Sequence, residues 1–138
     1  MSQKQAKPFA LARISIRNHK TGVSWTSPKP MRAFVDSGST HTIFPLNSIA
    51  FLKSKLGDLE MVPAKIETIG GQKDASFLKG VSFCLNKACV KGDVLVTDGI
   101  SGDILVGSDF LTKAKCKMDF EKKLMRCGDR DLKFRVES

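Results

Sequence analysis

The sequence predicts an all-β fold, a small closed or half-closed barrel built from many short strands with one or two brief helices. Three observations carry that expectation. Apolar residues recur in short, strand-like rhythms along most of the 138 residues. Glycine, proline and asparagine punctuate those rhythms at hairpin spacing, and only two short stretches have helical character.

Phe9 to Ile16 reads as a strand, and Asn18 to Pro30, with Gly22, Pro28 and Pro30, reads as a long hairpin loop. Met31 to Val35 is the returning strand. Leu46 to Leu56 places Ile49, Leu52 and Leu56 on one helical face, and Gly57 is a natural stop. Val62 to Ile69 is a strand that reaches Gly70-Gly71, and Ala75 to Leu85 returns from it. Two glycines at such a tip permit positive φ. Ala88 to Val96 is the next strand, followed by a surface loop from Thr97 to Asp103. Ile104-Leu105-Val106-Gly107 is a buried strand ending at a glycine, and Asp109 to Ala114 has the composition of a short helix. Cys116 to Phe120 and Lys123 to Cys127 form a hairpin, and Leu132 to Val136 alternates as an edge or interface strand. The first seven residues and the last two or three are expected to fray.

The length predicts one domain, 1–138, in which roughly two-thirds of the extended chain's surface can be buried. Hydrophobic residues make up 41% and charged residues 27%, and no apolar run is long enough to span a bilayer. With no signal-like apolar stretch near Met1, the chain reads as a cytoplasmic or intracellular product, or one released from a larger precursor. The formal charge of +9 favours anionic partners. However, Lys53, Lys55, Lys65, Lys79, Lys113, Lys115, Lys122 and Lys123 are scattered, and aromatics are 7% with no Tyr, which weighs against nucleic acid as the main partner.

Cys84, Cys89, Cys116 and Cys127 lack zinc-knuckle spacing, and His19 and His41 are not placed to complete a metal site. Each cysteine pair sits symmetrically about a two-residue turn, Asn86-Lys87 or Glu121-Lys122. In a reducing compartment the expectation is free thiols packed as small hydrophobes, with disulfides as the alternative.

Asp36-Ser37-Gly38-Ser39-Thr40 follows Ala33-Phe34-Val35 and occurs once. A carboxylate is thereby delivered from the end of a buried strand into a tight turn. Asp-Ser-Gly alone is common turn chemistry. Its context is more specific: a Gly-Gly hairpin lies downstream, and a second apolar element ends in Gly before a helix.

In that order the features resemble the retropepsin family, the single-domain aspartic proteases of retroviruses, retrotransposons and their cellular relatives. The resemblance covers Phe9 to Phe120 and is strongest over Ala33 to Thr40 and over Ile104 to Leu111. It implies that Asp36 is the catalytic carboxylate, acting with Asp36 of a second copy in a homodimer. Ser37 and Gly38 would support the catalytic turn, and Ile69, Gly70 and Gly71 would form the flap. Ser39, Thr40, Ile43, Ile100 and Ile104 would line a bound peptide or protein substrate. The resemblance implies neither metal nor cofactor.

Two close carboxylates cannot both ionise cheaply, so the pair shares a proton, activates water and favours an acidic optimum. Where many retroviral enzymes pair an Arg with an Asp, this chain has Ser108 and Thr40, so no unpaired charge remains. The segment 121–138 is longer than the minimal template and is expected at the dimer interface. Two other readings stand beside the endopeptidase: a catalytically silent peptide-binding or dimerisation domain of the same fold, and a basic nucleic-acid-binding domain.

Overall fold

The computed structural model describes residues 7–68, 70–98 and 104–137. Twelve strands form one curled sheet: β1 (Lys7–Ala12), β2 (Ile14–Asn18), β3 (Ser24–Thr26), β4 (Met31–Val35), β5 (Ile43–Pro45), β6 (Glu60–Thr68), β7 (Gly71–Leu85), β8 (Ala88–Thr97), β9 (Ile104–Val106), β10 (Cys116–Asp119), β11 (Leu124–Cys127) and β12 (Arg130–Glu137). The order across the sheet is β10-β11-β12-β1-β4-β9-β5-β8-β7-β2-β3, with β6 paired to β7. Its two ends, β10 and β3, are not neighbours. The all-β expectation therefore holds as a half-barrel rather than a closed one.

The expected strand Phe9 to Ile16 is two strands, because the chain is pinned at Arg13. Asn86, at the β7–β8 turn, accepts from the Arg13 N–H through Oδ1 (2.9 Å) and donates its own N–H to the Arg13 carbonyl (2.8 Å). The loop Asn18 to Pro30 likewise contains a strand, β3, whose Trp25 pairs with Ile16. Lys7, expected in a frayed tail, pairs with Glu137. The surface loop expected from Thr97 to Asp103 starts one residue later, since Thr97 ends β8, and residues 99–103 lie outside the described residues.

A one-turn 3-10 helix (Leu46–Ser48) leads into α1 (Ile49–Leu56), and Gly57 ends it with φ +80, a conformation that costs glycine little. Ile49, Leu52 and Leu56 are its buried residues. Phe51 lies edge-on against Trp25 (5.1 Å), docking the helix on β3. The second helix, α2 (Ser108–Lys113), buries Phe110 against Phe83. One hydrophobic cluster runs from Ala10, Ile14 and Ile16 through Leu78, Leu85 and Val106 to Met125, Leu132 and Phe134. The C-terminal strands β11 and β12 are thus part of the same core.

Both cysteine pairs are disulfides, Cys84–Cys89 and Cys116–Cys127, which corrects the free-thiol expectation. The reason is register. Each pair lies directly opposite across an antiparallel ladder, with Cα atoms 4.0 and 3.9 Å apart, so the strand pairing itself brings the two sulfurs together.

Candidate active site

Strand β9 lies between β4 and β5, parallel to the first and antiparallel to the second. The chain from β4 to β5 must therefore step over β9, and the step is the segment from Asp36 to Thr42. Pairing of Val35 with Val106 carries on into the turn, where the Asp36 N–H donates to the Val106 carbonyl (2.9 Å). Beyond it, the Gly38 N–H donates to Asp36 Oδ1 (3.0 Å) and the Ser39 N–H to the Asp36 carbonyl (3.1 Å). This is a tight turn around an exposed carboxylate.

The floor beneath it is held by close backbone approach. A Cβ on Gly107 would lie 2.4 Å from the His41 carbonyl oxygen and 2.7 Å from that of Ser39, so only glycine fits there. Next to it, the Ser108 N–H donates to the Ser39 carbonyl (2.7 Å). A backbone bond thus joins the segment that begins at Asp36 to the start of α2.

Thr42, 2% exposed, ties the turn to three partners, Asp109, Gly107 and Leu95. Its N–H and its hydroxyl donate to the two carboxylate oxygens of Asp109 (3.0 and 2.8 Å). Its hydroxyl oxygen accepts from the Gly107 N–H (3.3 Å), and its carbonyl accepts from the Leu95 N–H of β8 (2.9 Å). Asp109 serves its own helix, accepting from the Phe110 N–H (2.7 Å), but its bonds to Thr42 cross 67 positions. The signal for that role was a carboxylate embedded in an apolar run, which burial obliges to find donors.

Strands β6 and β7 form a long hairpin in continuous register from Glu60↔Lys79 to Thr68↔Gly71. Gly70 is an exposed turn residue and Gly71 has φ +109, in the region that favours glycine. Ile69 lies outside the described residues, as does Ile100. At the hairpin's base, Phe77 of β7 packs edge-on against His41 of the segment that begins at Asp36, with ring centroids 5.1 Å apart. Lys73 of β7 pairs with Asp98 at the end of β8 (2.9 Å), and this holds the Asp98 carboxyl below the usual carboxylate range, first by hydrogen bonding and then by charge.

The other sequence candidates fall around this turn. Ser37 and Thr40 are exposed, while Ser39 is half-buried with its hydroxyl donating to the His41 carbonyl (2.9 Å). Ile43 is half-buried, and Ile104 packs in the core opposite Ala33. Among the described residues no three His, Cys, Asp or Glu side chains converge as metal ligands, and no helix is long and apolar enough to cross a membrane.

An Asp-Ser-Gly turn stepping over an inserted strand, beside a long glycine-tipped hairpin, defines the retropepsin-like class of fold. A profile of the family described as Aspartyl protease matches residues 21–110, more than half of the chain, and the chain belongs to that family. Among solved structures it is similar to the retroviral protease-like domain of Ddi1 from Leishmania major, with a TM-score of 0.57 and 14% identity over 91% of this chain and 94% of that one. At that identity the likeness concerns the fold. A comparison with curated protein sequences finds no match.

Proposed function

We propose that the chain is an aspartic endopeptidase whose catalytic dyad is made from Asp36 of two copies. The observation that carries this reading is the setting of Asp36: exposed at the mouth of β4, with Oδ1 fixed by the Gly38 N–H and Oδ2 without a hydrogen bond among the described residues. A second Asp36 brought to about 3 Å would share one proton with it. The ionised member would take a proton from the attacking water. The protonated member would hydrogen-bond the scissile carbonyl oxygen and later protonate the leaving nitrogen.

The terminal strands support the placement of a partner at this end of the molecule. Phe9 pairs with Phe34 and Lys7 with Glu137, so the start of β1 and the end of β12 lie beside the end of β4 that carries Asp36. Glu137 is two strand spacings away, about 10 Å. A copy approaching Asp36 therefore also meets the 121–138 segment, the proposed interface. The hairpin tip at Gly70-Gly71 is the proposed flap, closing over a peptide bound as an extended strand that Ser39, Thr40 and Ile43 help to line.

A peptide-binding or dimerisation domain without turnover is the second reading, favoured by the fact that each chain brings only one Asp36. Cleavage of a diverse peptide mixture across pH, by wild type and Asp36→Asn with molar mass measured alongside, separates the two. The endopeptidase reading expects dimers, an optimum on the acidic side of neutral, and complete loss of cleavage in a folded Asp36→Asn. Peptide retention without cleavage would move the assignment to the second reading, and a rate flat across the range would rule out a shared-proton dyad.

A further inference from the structure

Strands β2, β3, β7 and β8 set a disulfide among uncompensated cations. Register places Cys84 opposite both Cys89 and Ser15, and Ser15 opposite Thr26, so these residues form one row across the sheet. The next row on the same face is Ser24, Arg17, Ser82 and Lys91, because side chains two residues apart in a strand share a side. Lys87 stands in the turn between the two cysteines. No Asp or Glu occurs in β2, in β3 or in residues 82–92, and the first carboxylate further along β8, Asp93, is paired with Lys79 at 2.8 Å. Arg17, Lys87 and Lys91 are exposed, and none has an ion-pair partner among the described residues.

The two disulfides differ in access. Cys89 is exposed, whereas Cys127 is 3% exposed in the core and Cys116 packs against that core. Cations stand near the second pair too, with Arg130 opposite Cys127 and Lys115 and Lys117 on either side of Cys116, so access to a sulfur is what separates the pairs. Thiol–disulfide exchange begins with a thiolate reaching one sulfur, and Cys89 offers that approach. The neighbouring cations concentrate an anionic attacker and stabilise the thiolate that leaves.

We propose that Cys84–Cys89 is an exchange site for small anionic thiols, opening before Cys116–Cys127. The attacking thiolate bonds to the Cys89 sulfur, the bond between the two cysteines breaks, and Cys84 leaves with the electron pair and takes a proton from water. A second thiolate then attacks the mixed disulfide, releasing the oxidised thiol and leaving Cys89 reduced. Opening unties the hairpin end whose Asn86 holds the corner at Arg13, by bonds of 2.9 and 2.8 Å. The site is independent of Asp36 and of proteolysis.

The test exposes the full chain to mercaptoethanesulfonate, mercaptoethanol or cysteamine at equal thiolate concentration, followed by acid quench, alkylation and peptide mapping by mass spectrometry. Adducts should appear first at Cys89, with Cys84 as the free thiol. At low salt the anionic thiol should react at least about fivefold faster than the cationic one, and the ratio should shrink as salt screens the face. Arg17→Gln/Lys91→Gln should reduce that ratio about threefold or more, and the same charge change on α1, Lys53→Gln/Lys55→Gln, less than about twofold. Hydrogen exchange at the Arg13 amide should rise about fivefold or more once the pair is open. All substituted positions are exposed, and urea titration checks that each variant folds. Adducts forming as fast at Cys116 or Cys127, a cationic thiol as fast as the anionic one, equal effects of the two charge changes, or unchanged exchange at Arg13 would each overturn the proposal.

Discussion

Asp109 and Thr42 form a half-buried clamp: the carboxylate of one receives both the backbone N–H and the hydroxyl of the other, at 3.0 and 2.8 Å. The clamp fixes the end of the segment that begins at Asp36 against the start of α2. Asp109→Ala would strand two donors of a residue that is 2% exposed. We expect a stability loss of about 2–4 kcal/mol, measured by urea denaturation. Asp109→Asn, which keeps one acceptor, should lie between the variant and wild type. If the site is catalytic, kcat should fall with stability restored by low temperature, because the misplacement concerns geometry rather than folding.

Gly107→Ala meets backbone rather than a movable side chain, with carbonyl oxygens of His41 and Ser39 at 2.4 and 2.7 Å from the new methyl. Its φ of −97° is ordinary for any residue, so the cost is steric and not conformational. The expected destabilisation is about 1–3 kcal/mol or more. By comparison, Gly22→Ala has open space around it but a φ of +75°, and should cost about 1–2 kcal/mol. Thermal melts of the two variants distinguish the mechanisms, since only Gly107→Ala should also alter hydrogen exchange at Ser108 and Ser39.

Three ion pairs give the chain an acid-sensitive component of stability. Asp58, Asp98 and Asp131 are each held below the usual value of 3.8 by hydrogen bonds and charge from Lys20, Lys73 and Arg126 respectively. Because the folded state favours the ionised carboxylate, this stabilisation is present above the unfolded value and is lost as pH falls through the lower folded one. Asp98→Asn should therefore differ from wild type at neutral pH and converge with it in strong acid. The pair is near solvent, so the difference should be small and shrink in high salt. Urea titrations at several pH values measure it, and proteolysis at the β6–β7 hairpin reports whether losing the Lys73 tether loosens that element.

The two disulfides close loops of 5 and 11 residues in sequence separation. Chain entropy assigns each about 2–3 kcal/mol. Under non-reducing denaturation no thiol should react with an alkylating reagent, and after reduction four should. Cys116→Ser/Cys127→Ser should lower stability more than Cys84→Ala/Cys89→Ala, since Cys127 is 3% exposed within the core and serine leaves a polar group there.

Local chemistry made much of the architecture legible. Met31 to Val35 forms β4 over the residues expected, and Gly57 ends α1 where a glycine was expected to. The turn at Asn86-Lys87 formed because Asn tolerates φ +52 between two apolar runs. What escaped was set at a distance. Nothing near Arg13 says that Asn86 will bond it and divide a strand, and nothing near Ser24 to Thr26 marks a strand until β2 supplies its partner.

The sequence by itself determined the kind of turn that holds Asp36, since an apolar strand followed by Asp-Ser-Gly has few other conformations open to it. Tertiary structure alone decided what surrounds that turn. The insertion of β9 between β4 and β5, the Thr42–Asp109 clamp and the closure of both cysteine pairs all depend on strand order and register. Those are global quantities: residues far apart in the chain become neighbours only once the whole sheet has chosen its pairing, and no local periodicity encodes that choice.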